Sequence, residues 1–260
     1  MTDHEQLPLV ETALEGGLLA IMLNRPASSN AVTPALIAAL THAVEAAEAP
    51  EVKAVLLRGE GTNFCAGADL RHFAGHLDDV AGEMQVMATG FHAMLERFYN
   101  LPKPVVAAVQ GTAIGAGFGL VLAADHVIAS RGARFSTGYI RLGLSADAGV
   151  SWFLAQALGP RQAASLLMTA RFLSAEEAAG FGLVDTLVEE EALAAAAMTA
   201  ARAFADGPAE AYAAIKALTR AAPNNDLGRH LREEEAHVVR LARGPAVGAA
   251  MASLLKPRAR

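Results

Sequence analysis

The sequence predicts an α/β core followed by a helical C-terminal part. Three observations lead there. Short apolar runs of strand length, residues 54–58, 104–109 and 127–130, alternate with longer stretches of helical period. That alternation implies crossover connections and a parallel sheet. Two of these strands, 54–58 and 104–109, end in turns made almost wholly of small residues. After Asp147 the chain reads as helix nearly throughout.

In chain order, residues 7–14 and 18–23 flank Glu15-Gly16-Gly17 and read as a hairpin. Thr33-Pro34 opens a helix with a cap residue and a first-turn proline, apolar at Leu36, Ile37, Leu40 and Val44, and Pro50 stops it. Residues 79–100 place Met84, Met87, Phe91, Met94, Leu95 and Phe98 on one helix side. Leu101-Pro102-Lys103-Pro104 breaks that helix, and the strand to Val109 runs into a glycine turn and a helix to Ala124. Short strands are expected at 127–130 and 133–135. Helices follow at 148–158, 160–169, 175–181, 191–206, 208–221, 227–242 and 247–255. The Ala-rich stretch 192–205 is helix propensity rather than a linker.

Composition narrows the function. The 260 residues, 53% hydrophobic, suffice for one large domain or two small ones with a real core. A formal net charge of -6 argues against a nucleic-acid or anionic-membrane binder. A single cysteine, Cys65, excludes an intrachain disulfide and a multi-cysteine zinc site. With no histidine near it in sequence, Cys65 is expected to be a small buried filler. Residues 1–6 carry no signal pattern, and no apolar run reaches the ~18 residues of a membrane span. The expectation is a soluble cytoplasmic protein. No metal-ligand spacing is recognised, so no metal is expected.

The two turns carry the chemistry. Gly111-Thr112-Ala113-Ile114-Gly115-Ala116-Gly117-Phe118-Gly119 lets another molecule reach bare backbone at a helix start, where N–H groups suit negative charge. Alone, such a cluster reads rather as a Gly/Ala helix packed tightly in a core. Asn63-Phe64-Cys65-Ala66-Gly67-Ala68-Asp69-Leu70 is a second turn of the same kind. Two such turns can each offer one N–H to a single oxyanion.

Together with Leu23-Asn24-Arg25-Pro26, these motifs resemble the crotonase superfamily of enoyl-CoA hydratases and isomerases, over nearly the whole chain. The resemblance implies a spiral of repeated ββα units over residues 1–200 and a helical trimerisation region over 201–260. It also implies an acyl-CoA substrate and a homotrimer or dimer of trimers. Coenzyme A would come as part of the thioester, with no permanently bound cofactor.

The same resemblance implies roles for particular residues. Ala68 and Ala116 hold the positions whose N–H groups form the family's oxyanion hole, Ala116 in place of the usual glycine. The hydratases' two glutamates are replaced by Gly119 and Tyr139, neither of which activates water as a carboxylate does. Gly143-Leu144-Ser145-Ala146-Asp147-Ala148-Gly149 is similar to a segment of the family's isomerases, including those acting on ring-epoxidised phenylacetyl-CoA, with Ala146 for their proline. It makes Asp147 the candidate acid/base, although Asp147 also sits where a helix N-cap is expected. His92 matches a base of the aryl-CoA dehalogenases, in which the residue matching Asp147 is the nucleophile. Those enzymes carry aromatic residues where this chain has Tyr139 (a tryptophan) and Ala68. Arg25 would pair with coenzyme A phosphate, with Ala27, Ala66, Asp69 and Leu70 as weaker contacts; Asp69 reads more naturally as a cap. The expected reaction is enoyl-CoA isomerisation with little simple hydration. The alternatives are a dehalogenase-like hydrolase and a CoA-thioester binding protein without turnover.

Overall fold

The computed structural model describes residues 7–255. The stretch read for a targeting signal, residues 1–6, lies outside them. β1 (Val10–Glu15) and β2 (Leu18–Leu23) form the expected hairpin. Gly16 and Gly17 both take positive φ, 54° and 81°, which suits the tight turn between twisted strands. β1 starts at Val10 rather than residue 7, just beyond Pro8, which has no N–H to give a ladder. α1 (Pro34–Ala47) begins as expected, with Thr33 accepting a hydrogen bond from the Leu36 N–H at 3.2 Å. β3 (Ala54–Gly59) follows.

α2 (Leu70–Ala74) was not expected. Five residues are too few to show a period, and the helix rests on Asp69, which accepts from the Arg71 N–H at 3.1 Å. α3 (Val80–Asn100), β4 (Val105–Val109), β5 (Thr112–Ile114) and α4 (Ala116–Leu122) come next. Part of the presumed glycine turn is thus a strand. β6 (His126–Ser130), β7 (Arg134–Ser136), α5 (Val150–Leu158), α6 (Pro160–Thr169), β8 (Leu173–Ser174), α7 (Ala175–Gly180) and β9 (Thr186–Val188) complete the core's middle. The chain ends in α8 (Leu193–Ala205), α9 (Ala209–Ala221), α10 (Leu227–Ala242) and α11 (Pro245–Leu254).

The larger sheet has strand order β1-β2-β3-β4-β6-β9, parallel after the hairpin. A smaller sheet, β5-β7-β8, is extended by isolated bridges Val32–Ala68 and Cys65–Ala113. The repeating path is a long strand, a short extended segment in the second layer, then a helix; β4-β5-α4 shows it most fully. This is the expected spiral of ββα units. Alanines 197, 201 and 205 of α8 lie close on Leu56, Val106 and Ile128 of the sheet's other face. The expected boundary at residue 200 therefore falls inside a helix that packs on the sheet. Beyond it, α9 is pinned to the core by Lys216 and Arg220, whose side chains reach Asp125 at 2.5 and 2.9 Å. Burial pulls the Lys216 ammonium down to about 8.

The loops at the strand ends are held by side-chain amides. Asn30 is fully buried with φ 54°, a conformation asparagine tolerates. Its Nδ2 faces the carbonyls of Glu60, Asn63 and Phe64 at 2.9–3.0 Å, and its Oδ1 accepts from the Arg25 N–H at 2.8 Å. Asn30→Ala strips these partners from buried backbone groups. We expect a loss of about 3 kcal/mol in urea unfolding, since each orphaned group costs roughly 1–3 kcal/mol; a loss below about 1 kcal/mol would show that the loops hold without it.

Candidate active site

The two small-residue turns meet. Val32 pairs with the first turn's backbone: Val32 N donates to the Gly67 carbonyl at 2.7 Å, and the Val32 carbonyl accepts from Asp69 N at 2.9 Å. Gly67 has φ 84°, and a Cβ built there would lie 2.6 Å from the Ile114 carbonyl and 3.7 Å from the Ala116 nitrogen. Only glycine permits this approach, and it brings the Ala68 and Ala116 nitrogens to one place. Asn63 Oδ1 locks the second turn by accepting from Thr112 N and Oγ1 at 3.0 and 2.8 Å. Among the described residues, neither the Ala68 nor the Ala116 N–H has a hydrogen-bond partner. Ala116 is the first residue of α4, so its N–H lies at the helix's positive end. It is not among the positive-φ residues, so the departure from glycine leaves the turn unstrained.

Both alanines open on a cavity of about 340 Å³, with Leu70, Tyr139 and Asp147 also on its wall. The rest of the wall is mostly apolar: Val32 and Ile37, Phe73 of α2, and Met84, Met87 and Phe91 of α3. The sequence reading took the α3 residues as core only. Ser145 and Gln85, the cavity's other polar side chains, were missed as well; nothing in their spacing marks them out.

Asp147 does not cap a helix. The helix expected from residue 148 starts at Val150, with Gly149 at the cap position and no side-chain cap bond. The positive φ values of Ala148 (52°) and Gly149 (71°) delay the helical turn. The carboxylate instead lies with Oδ1 2.5 Å from His92 Nε2. Because a carboxylate only accepts, this imidazole nitrogen carries the proton. Both side chains are about half exposed, 51% and 44%. Oδ2 has no partner among the described residues. Tyr139 donates its hydroxyl to the Asp147 carbonyl at 3.1 Å. Burial first, and the nearby Asp147 charge second, hold its phenol well above the usual range. Tyr139 is therefore a clamp on the Asp147 loop rather than a base.

At Gly119, which the resemblance matches to one hydratase glutamate, there is no room for a side chain. A Cβ there would lie 2.3 Å from the Ala148 carbonyl oxygen and 3.2 Å from its methyl. The backbone of the Asp147 loop fills the space that a second carboxylate at residue 119 would need. Cys65 is the expected filler: fully buried, its Sγ on the Asn30 carbonyl at 3.2 Å, its thiol pushed up to about 11 by burial.

Arg25 is engaged within the protein. One guanidinium nitrogen donates to the Ala31 carbonyl and the other reaches Asp69 Oδ2 at 3.2 Å, with the side chain 20% exposed. Ala66 N donates to the Ser29 carbonyl at 2.9 Å, so the loops bearing Arg25 and Ala27 and bearing Ala66, Asp69 and Leu70 are one unit. Away from the cavity, folding also gathers His72, His76 and Glu83, a potential ligand set that the sequence reading passed over. No described helix is long and apolar enough to cross a membrane.

Comparison with known proteins places the chain in a family. The family model described as enoyl-CoA hydratase/isomerase matches residues 13–242. A probable enoyl-CoA hydratase of Rhodobacter capsulatus is 37% identical over 218 residues, 84% of this chain and 83% of its own. The 1,2-epoxyphenylacetyl-CoA isomerase of Escherichia coli is 34% identical over 220 residues, 84% of each chain. The crystal structure of a putative enoyl-CoA hydratase/isomerase from Mycobacterium abscessus superimposes with a TM-score of 0.92 at 34% identity, covering 95% of this chain and 96% of that one. With a family model spanning most of its length and a ββα spiral shared with those structures, the chain belongs to the enoyl-CoA hydratase/isomerase family of the crotonase superfamily.

Proposed function

We propose that the chain is an enoyl-CoA isomerase that moves a double bond through a dienolate, with Asp147 as the acid/base. One observation carries the reading: a single carboxylate lines the cavity beside two unpaired N–H groups, while the Ala148 backbone occupies the place of a second carboxylate. The thioester oxygen accepts from the Ala68 and Ala116 N–H groups, each typically worth ~3 kcal/mol as the oxygen gains charge. Asp147 Oδ2 takes a proton from C2 of a 3-enoyl-CoA. The electrons move through the dienolate, and the same proton returns at C4, leaving the 2-enoyl product. His92 donates to Oδ1 throughout and orients the carboxylate. The mostly apolar wall supports a hydrocarbon or ring acyl group.

Coenzyme A would lie along the joined loops of Arg25, Ala27, Ala66, Asp69 and Leu70. There Arg25 and Asp69 act chiefly by fixing the loop through their own ion pair. The helices beyond α8 are proposed to assemble a homotrimer or dimer of trimers. Supporting this, Leu227, Leu231, Val238, Val239, Met251 and Leu254 are exposed on α10 and α11. Light scattering at micromolar concentration should return a multiple of three chains; a monomer would remove this assembly.

Crotonyl-CoA hydration should be slow or absent. Gly119→Glu should not create it, because the new side chain must displace the Asp147 loop; ordinary hydratase turnover in either protein would refute the assignment. Asp147→Asn should lose ~10²–10⁴-fold of 3-enoyl to 2-enoyl turnover. As the carboxylate caps no helix, Asp147→Asn and Asp147→Ala should both keep stability within about 0.5 kcal/mol by parallel urea melts. Near wild-type turnover in Asp147→Asn would overturn the reading and point to a different base, whereas no turnover in the wild type would leave acyl-CoA binding without catalysis.

The His92–Asp147 contact also favours a second reading, a dehalogenase-like hydrolysis with Asp147 as nucleophile and His92 as base. His92→Gln separates the two. In the hydrolytic reading a halobenzoyl-CoA leaves its aryl group on Asp147, visible by mass spectrometry of the intact protein. In the isomerase reading no adduct forms.

A further inference from the structure

A second set of chemically capable side chains lies outside the proton-transfer machinery. His72 belongs to α2, His76 follows two residues after its end, and Glu83 lies in the first turn of α3. His72 Nε2 is 2.9 Å from Glu83 Oε2. The two imidazole rings are 4.8 Å apart, tilted by 40°. One ligating atom from each of the three residues lies within 4.8 Å of the other two.

The protonation pattern suits a ligand set. His76 Nδ1 is 2.8 Å from the His72 carbonyl oxygen. A carbonyl only accepts, so Nδ1 carries the hydrogen and Nε2 of the neutral ring presents its lone pair. Metal-ligating histidines are typically held this way, with the second nitrogen donating to a carbonyl or carboxylate. His72 Nε2 donates to Glu83, and in that arrangement the carboxylate and the ring nitrogen already face one another. When an ion takes the place of this hydrogen, the proton moves to Nδ1 and both groups become ligands.

We propose that His72, His76 and Glu83 bind one divalent ion of the zinc class. Two imidazoles and one carboxylate are a donor set for zinc, with a fourth position left for water. Imidazole does not suit magnesium or calcium, which take oxygen ligands. Ligand atoms in such a site sit about 2.0–2.1 Å from the ion, so the three side chains must draw together. His76, exposed beyond the end of α2, is free to do so. The site's place in the fold gives it a consequence. Leu70 and Phe73 of α2 and Met84 and Met87 of α3 line the acyl cavity. An ion here would staple those two walls together.

The test needs neither substrate nor turnover. The full chain, stripped with a chelator and dialysed, is titrated calorimetrically with zinc chloride and separately with magnesium chloride. About one zinc per chain should bind with micromolar or tighter affinity and raise the melting temperature, and magnesium should not bind. His72→Gln, His76→Gln and Glu83→Gln should each weaken zinc binding by roughly 10-fold or more. His42→Gln, an exposed control beside Glu45 on α1, should leave it unchanged. Because His76 is exposed, His76→Gln keeps the test valid even where the other two variants melt early. No zinc uptake at tens of micromolar, or uptake undiminished by His76→Gln, overturns the site and leaves a hydrogen-bonded cluster.

Discussion

Two backbone N–H groups must be kept unpaired, side by side, at the wall of an apolar cavity, and much of the surrounding structure follows from that. A bare N–H in a dry place costs free energy, so the chain around it cannot be free to rearrange. Here the neighbouring backbone is over-determined. Asn30, Asn63 and Gln110 supply side-chain hydrogen bonds where the sheet ladder has ended. The isolated bridges at Val32–Ala68 and Cys65–Ala113 hold the two turns in register. Gly67 then removes the one side chain that would keep them apart. The result is a preorganised pair of donors, which is where such sites gain most over water.

The same economy of space sets the chemistry. The Asp147 loop reaches inward through a left-handed Ala148 and is clamped by Tyr139 through a backbone carbonyl. That conformation is of a kind that usually costs 1–3 kcal/mol and survives only where its surroundings impose it. It delivers a carboxylate to the cavity and, in the same stroke, puts the Ala148 carbonyl against Gly119. The backbone that carries this carboxylate leaves no room for a side chain at residue 119. Methionine and phenylalanine from α3 make much of the remaining wall apolar.

The helices divide between core and periphery. α8 covers the outer face of the larger sheet with alanines, which lets the helix approach closely, while α10 and α11 keep large apolar side chains exposed. α9 joins the two through a buried lysine and an arginine that share Asp125. Helical period alone could not separate these cases, because an apolar stripe looks the same whether it meets a sheet or another chain.

What the sequence determined by itself was the order of elements with strong local signals. The Gly-Gly hairpin, the Thr-Pro helix start at residue 33, the long α3 and the two small-residue turns were all legible because a turn residue or a period is written locally. Family motifs also identified Ala68, Ala116, Tyr139 and Asp147, which the structure brings to one cavity. Short elements such as α2, β5, β8 and β9 were not legible, since two to five residues carry no period and owe their form to neighbours far along the chain. Tertiary structure alone decided that Asp147 pairs with His92 instead of capping α5, that Tyr139 is a clamp, and that Arg25 turns inward to Asp69. It alone gathered His72, His76 and Glu83. In each case the deciding partner is brought in by folding, and a side chain's role is set by what lies beside it in space rather than by its place in the sequence.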